Sequence, residues 1–180
     1  SGLDYATVRF NALKMNLDKS LDLLTDVMLN PSFPEKDLER LRNERLAGIA
    51  REKNTPTQMG YRVFAKLLFG EGHAYGNPLT GSGFERSVKQ IKREDIVKYY
   101  DTWLRPNNAT LIVTGDISMA ELKPKLEKAF KNWKTGTPPK KNVSDVSFPE
   151  KPVIYIVDRP GSQQSIIFAG HVSPARGEDE

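Results

Sequence analysis

Two periodicities divide this 180-residue chain, and their order constrains the fold more than any single motif. Apolar residues recur at helical spacing over long stretches, whereas β-type patterning is confined to four short, widely separated runs. The first alternates Tyr5, Thr7, Arg9 and Asn11 with Ala6, Val8, Phe10 and Ala12. The second is Ala109 to Thr114, closed by Gly115-Asp116. The last two, Val153 to Val157 and Ser165 to Ala169, are joined by Asp158-Arg159-Pro160-Gly161. The order reads β-α-α-α-α-β-α, a linker, then β-β. Two strands separated by four helices do not make a stable sheet alone, and neither do two more strands after a linker. The pattern is therefore expected to belong to a larger architecture.

The helical stretches carry their own start and stop signals. Asn16 stands as an N-cap before Leu17, Leu21, Leu24 and Met28, and Pro31 ends that stretch. The next begins near Pro34-Glu35, where a proline lacking its N–H costs little, and turns Leu38, Leu41, Leu46 and Ile49 inward. Lys53-Asn54-Thr55-Pro56 ends or bends it. Thr57 to Phe69 follows, with Tyr61, Phe64, Leu67 and Leu68 on one side, and then the turn formers Gly70 to Pro78. A short piece from Phe84 to Gln90 precedes a helix opened by Lys92-Arg93-Glu94-Asp95 and broken at Arg105-Pro106-Asn107. Ser118 caps the last helix, whose inner face is Leu122, Leu126, Ala129, Phe130 and Trp133. Residues 134–150, rich in Pro, Gly and Lys, read as a linker.

Composition narrows the function classes. With 38% hydrophobic and 28% charged residues the chain has the material for an ordered core and is not of the disordered class. Apolar runs such as Ala109–Val113 fall far short of the ~20 residues a membrane helix needs. The first residues show no basic stretch followed by an apolar one, so no signal peptide is expected here. The absence of cysteine excludes disulfides, thiolate zinc sites and a cysteine nucleophile. The net charge of +4 comes from mixed signs along most of the chain, whereas nucleic-acid binders cluster theirs.

No residue pattern assembles a self-contained active site. His73 and His171 stand 98 positions apart, and neither has a second histidine at the helical spacing that turns two imidazoles toward one zinc ion. Gly81-Ser82-Gly83 follows no strand and reads as a turn rather than a phosphate cradle. There is no Gly-x-Ser-x-Gly elbow. The pairs Glu94-Asp95 and Asp37-Glu39 sit on charged helix faces. Trp133, Lys134, Lys140 and Lys141 form a basic-aromatic patch of the kind that binds nucleic acid, but a solvated linker explains them equally well. The sequons at Asn108 and Asn142 read as chance matches.

Several stretches taken in order resemble the insulinase/pitrilysin family of zinc metallopeptidases. They are Leu23 to Phe33, Gly72-His73-Ala74-Tyr75-Gly76, Leu79-Thr80-Gly81-Ser82-Gly83, Ile91 to Ile96, and Tyr99 to Asp116, in which Arg105-Pro106-Asn107-Asn108-Ala109-Thr110-Leu111-Ile112-Val113-Thr114-Gly115-Asp116 is the most diagnostic. The likeness covers residues 4–133 and, more faintly, 150–172. It implies an α+β fold, an antiparallel sheet backed by helices, incomplete as cut. It also implies a division into residues 1–133, the later part of an inactive peptidase-like domain; 134–150, the linker; and 151–180, the opening strands of the following homologous domain.

Members of that family enclose a peptide-degradation chamber in a clamshell of four related domains. The catalytic one binds zinc through His-x-x-Glu-His, whose glutamate activates water, and through a further glutamate from a later helix. This chain contains no His-x-x-Glu-His. The family pattern puts the ligand glutamate eight residues before the helix-breaking proline and a second glutamate seven before that. Counted from Pro56, these positions fall on Gly48 and Leu41, which bind no cation, and Glu44 and Glu52 do not restore the spacing. The resemblance thus implies the non-catalytic half, forming the wall or lid of the chamber, with no catalytic or metal residue of its own. Gly48 is expected to permit a close backbone approach. Zinc is expected in a catalytic half or partner subunit carrying His-x-x-Glu-His, with a peptide as substrate; no nucleic acid and no membrane span are expected. Substrate-binding residues and compartment stay open, the periplasm being the location that goes with bacterial relatives. The alternatives are a non-enzymatic structural subunit of a larger assembly and, ranked lower, a basic nucleic-acid module.

Overall fold

The computed structural model describes residues 2–140, 142–146 and 150–173. Six α-helices run in chain order: α1 (Leu17–Leu29), α2 (Glu35–Asn54), α3 (Pro56–Phe69), α4 (Glu85–Gln90), α5 (Arg93–Trp103) and α6 (Met119–Phe130). The chain divides into two compact units. One comprises Leu3–Glu39 and Ile91–Lys140; the other comprises Arg40–Gln90 and the described residues after Lys140, so α2 begins in the first and continues into the second.

The helix limits follow local chemistry. At α6, Ser118 Oγ accepts from the Glu121 amide at 3.3 Å and the Glu121 carboxylate accepts from the Ser118 amide at 3.3 Å, a reciprocal box that satisfies two orphan donors. At α5 the Lys92 amide donates to Asp95 Oδ2 at 2.8 Å. Thr55 is extended and Pro56 takes the first position of α3, where its missing N–H is not needed. Asn16 does stand at the head of α1, but its side chain makes no capping bond and a 3-10 turn, Lys14–Asn16, leads into the helix instead.

In the first unit α1 packs on α6, burying Leu21 and Leu122. Asp18 accepts from Lys125 Nζ at 2.6 and 2.8 Å across that pair. Phe33 adopts a left-handed backbone (φ 46°), an uncommon conformation for a bulky residue. It is held there by Arg93, which donates to the carbonyls of Phe33 (2.9 Å) and Ser32 (3.1 Å), and by an edge-on contact with the Tyr100 ring. Tyr100 Oη donates to the Met28 carbonyl at 2.5 Å. Trp133 Nε1 donates to the Leu104 carbonyl at 3.0 Å, tying the end of α6 to the end of α5.

In the second unit the inward residues of α2 are Ile49, fully buried, and Leu46, partly covered, while Leu38, partly covered, lies in the first unit; Leu41, expected inward, is half exposed at 52%. On α3 the covered face is Phe64, Ala65 and Leu68. Arg42 of α2 donates to the Val88 carbonyl of α4.

The expected antiparallel sheet is not there. Among the described residues none belongs to a strand, and the architecture is helical. Residues 5–12, 109–114 and 153–157 have no regular secondary structure and are exposed along their whole length, as are 165–169 apart from Phe168. The physical reason lies in what each pattern supplies. A helix closes its hydrogen bonds within one segment, whereas a strand exists only when a neighbour accepts and donates along its edge. The alternation of apolar residues says which face would be buried but does not provide that neighbour. The run 165–169 is instead held by one ring: Phe168 lies against Tyr61 (5.2 Å between centroids, edge-on) and Phe64 (5.7 Å) of α3. Gly60 makes this possible, because a Cβ there would stand 2.1 Å from the Phe168 ring. The polar tail 174–180 lies outside the described residues.

Candidate functional site

The expected ligand positions lie on α2. Leu41 and Gly48 are two turns apart on that helix, with Leu41 half exposed. Gly48 makes no close approach to another segment: a Cβ added there would meet only Arg51 Nη2 of the same helix, at 4.0 Å. The expectation of a close backbone contact at Gly48 is therefore not met. A Cβ at this position is in ordinary contact distance of that one side chain. Among the described residues no group of three His, Cys, Asp or Glu side chains is placed to hold a metal.

The densest polar arrangement in the second unit lies one turn beyond Gly48. Glu52, near the end of α2, receives three donors on Oε2: Arg62 Nη1 of α3 at 2.6 Å, Ser82 Oγ at 2.6 Å and Thr80 Oγ1 at 3.2 Å. Arg62 Nη2 also donates to the Gly83 carbonyl at 2.9 Å. Burial pushes the Glu52 carboxyl up, but the Ser82 hydroxyl, the Arg62 guanidinium and the Thr80 hydroxyl together outweigh it and hold the group below its ordinary range. A carboxylate so occupied is a weak base, and Ser82, only 4% exposed, is closed to any substrate. The cluster clasps the turn 80–83 onto α2 and α3; it is not a catalytic pair. Sequence reasoning identified the turn and missed the clasp. Its only signal was a glutamate at the end of one helix and an arginine ten residues later, a common pattern on solvated helices.

His73 is buried in the loop after α3, stacked on Phe69 (5.3 Å, 16° between planes) and beside Tyr75. His171 is exposed, with Nδ1 near its neighbour's carbonyl. The two do not share a site. Glu94, Asp95 and the Lys134–Lys140 stretch lie in the first unit, with Glu94 beside a shallow surface depression on α5 lined by Arg93, Val97, Lys98, Asp101 and Thr102. Lys141 is outside the described residues.

A frame that is helical among the described residues, with no metal-holding cluster among them, thus goes with the diagnostic stretch Arg105–Asp116, and comparison with known proteins supplies the class. The family model for the peptidase M16 inactive domain matches residues 90–180. The chain belongs to the M16 family, the insulinase/pitrilysin zinc peptidases, and carries its inactive domain. It is similar to an uncharacterized zinc protease of Rickettsia felis, 24% identical over 124 residues, covering 69% of this chain and 29% of the relative. It is similar to the zinc protease YmxG of Bacillus subtilis, 22% identical over 130 residues, 72% and 31% of the two chains. The β subunit of the mitochondrial-processing peptidase of Caenorhabditis elegans is 30% identical over 122 residues, 67% and 26%. The matched region spans less than a third of the length of each of these relatives.

Proposed function

We propose that this chain serves in the non-catalytic half of an M16 zinc peptidase, where it forms part of the wall or lid of a peptide-degrading chamber and has no zinc site of its own. In this reading Leu41 and Gly48 are degenerate ligand positions, and residues 1–133, 134–150 and 151–180 are the end of one domain, a linker and the start of the next. The partner is a half or subunit carrying His-x-x-Glu-His, which holds the zinc and activates water for attack on the peptide.

The observation that carries the reading is the apolar surface left in water. Ile112 is 82% exposed, Ile154 86%, Ile156 88% and Ile167 89%. Single exposed apolar residues are ordinary, but consecutive runs of this kind mark a surface that another polypeptide covers. Membership in a family whose relatives are named zinc protease and processing peptidase supports a peptidase half as that polypeptide.

The test mixes the purified chain with a catalytic half bearing His-x-x-Glu-His and follows cleavage of an internally quenched peptide. The expected result is a stable complex that cleaves faster than the catalytic half alone, with no cleavage by the chain by itself. Stoichiometric zinc held by the chain alone, together with cleavage, would overturn the reading. A stable but silent complex would favour the structural-subunit role.

A further inference from the structure

Both ring nitrogens of His73 are engaged, and in opposite senses. Nδ1 accepts a hydrogen bond from the Tyr75 amide at 3.0 Å, within the loop after α3. Nε2 lies 2.9 Å from the carbonyl oxygen of Ser144, which is an acceptor only, so Nε2 carries the proton and donates. The ring is thereby set as the neutral Nε2–H tautomer. Phe69 stacks on one of its faces, Tyr75 lies tilted against it, and it is 8% exposed. The loop that presents it has little freedom. Gly76 donates to the His73 carbonyl at 2.9 Å and passes Gly70 so closely that a Cβ would sit 2.3 Å from the Gly70 oxygen.

We propose that His73 is an acid-sensitive fastener that holds segment 142–146 to the loop after α3. The bond from the Tyr75 amide needs the Nδ1 lone pair. When a proton from solvent takes that lone pair, two N–H groups face each other and the ring leaves its slot, and with it goes the bond to Ser144. Segment 142–146 is a suitable thing to release. Residues 142–145 are exposed, and the segment is where the chain returns to the second unit, ahead of the run anchored by Phe168.

The titratable groups on the elements around the ring are few. Along α3, Arg62 is bound to Glu52, and Lys66 is paired with Glu71 of the loop at 3.0 Å. The loop adds the Tyr75 phenol, and the segment adds the exposed Asp145. None of these is shown to bond the imidazole, so the response is assigned to the ring itself.

Nitrogen-15 imidazole spectra and amide hydrogen exchange of the full chain, between about pH 8 and about pH 5, test the proposal. At the upper end His73 should show the Nε2–H tautomer, with His171 as an exposed reference. On acidification the carbonyl-carbon resonance of Ser144 should move as its bond from Nε2 is lost, and exchange of the Tyr75 amide, corrected for the intrinsic pH dependence, should rise roughly two- to tenfold, the loss of one hydrogen bond. His73→Gln keeps a donor for Ser144 and does not titrate, so its Ser144 carbonyl resonance should stay in place. An Nδ1–H tautomer at high pH, or the same acid response in His73→Gln, would overturn the proposal. So would a Ser144 carbonyl resonance and a Tyr75 amide protection that both persist while the ring charges. A loss of protection across the whole chain supports the fastener if His73→Gln resists it and counts against it if both proteins respond alike.

Discussion

Two ion pairs of equal length, 2.6 Å, sit in very different settings, and the contrast separates what holds each unit together. Lys125 and Asp18 join α6 to α1 with side chains 36% and 70% exposed. Arg62 and Glu52 join α3 to α2 at 10% and 19%. Water competes for the first pair, and ordering two long side chains offsets most of its gain. The second pair has lost much of its water and replaced it with hydroxyls from Thr80 and Ser82 and the Gly83 carbonyl, so every partner depends on the others. The α1–α6 pair is held mainly by apolar burial around Leu21 and Leu122. The α2–α3 corner relies on a polar clasp, which binds the loop carrying Gly81-Ser82-Gly83 to the helix that carries Leu41 and Gly48.

Breaking the clasp should therefore have the largest effect. Arg62→Ala leaves Glu52 short of its charge partner and Gly83 short of a donor, and should lower stability by about 2 kcal/mol, read as a shift in the denaturation midpoint. Acid should reach the same corner next. The Glu52 carboxyl is held below its unfolded value of 4.5, so its contribution is fully present above that pH and is lost as the pH falls through the folded value. Stability curves from about pH 7 to about pH 3 should accordingly be flatter in Glu52→Gln than in the parent chain. The smallest effect belongs to the exposed pair: Lys125→Ala should change stability by no more than about 0.5 kcal/mol, and less still at high salt. A Lys125→Ala loss as large as that of Arg62→Ala would remove the distinction between the two corners.

The helices were legible because their determinants are local. Pro34-Glu35, Thr55-Pro56 and the Ser118–Glu121 box mark limits that the structure keeps, since each acts within one turn of chain. The four β-type runs were equally clear as patterns, yet none is a strand among the described residues. A pattern at 153–157 carries no information about what lies along its edge. Contacts across sequence were the other blind spot. Nothing local ties Glu52 to Ser82, His73 to Ser144, or Gly60 to Phe168, and each pairing depends on how a loop returns to a helix. The ligand positions at Leu41 and Gly48 came from the family resemblance, whose pattern could be counted back from Pro56 because both lie on a single helix. Only the tertiary structure shows that no other segment comes within 4 Å of a Cβ at Gly48.

The amino-acid sequence by itself determined the family, the helix limits and the lack of any cysteine-based chemistry, since these depend on residue identity and short-range spacing. The tertiary structure decided the rest: that the apolar runs stay in water, that Phe168 is anchored by a ring slot over Gly60, and that Glu52, partly covered, and His73, buried, become centres of hydrogen bonding. The reason is that burial and long-range hydrogen bonds are properties of pairs of segments, and a linear pattern specifies only one member of each pair.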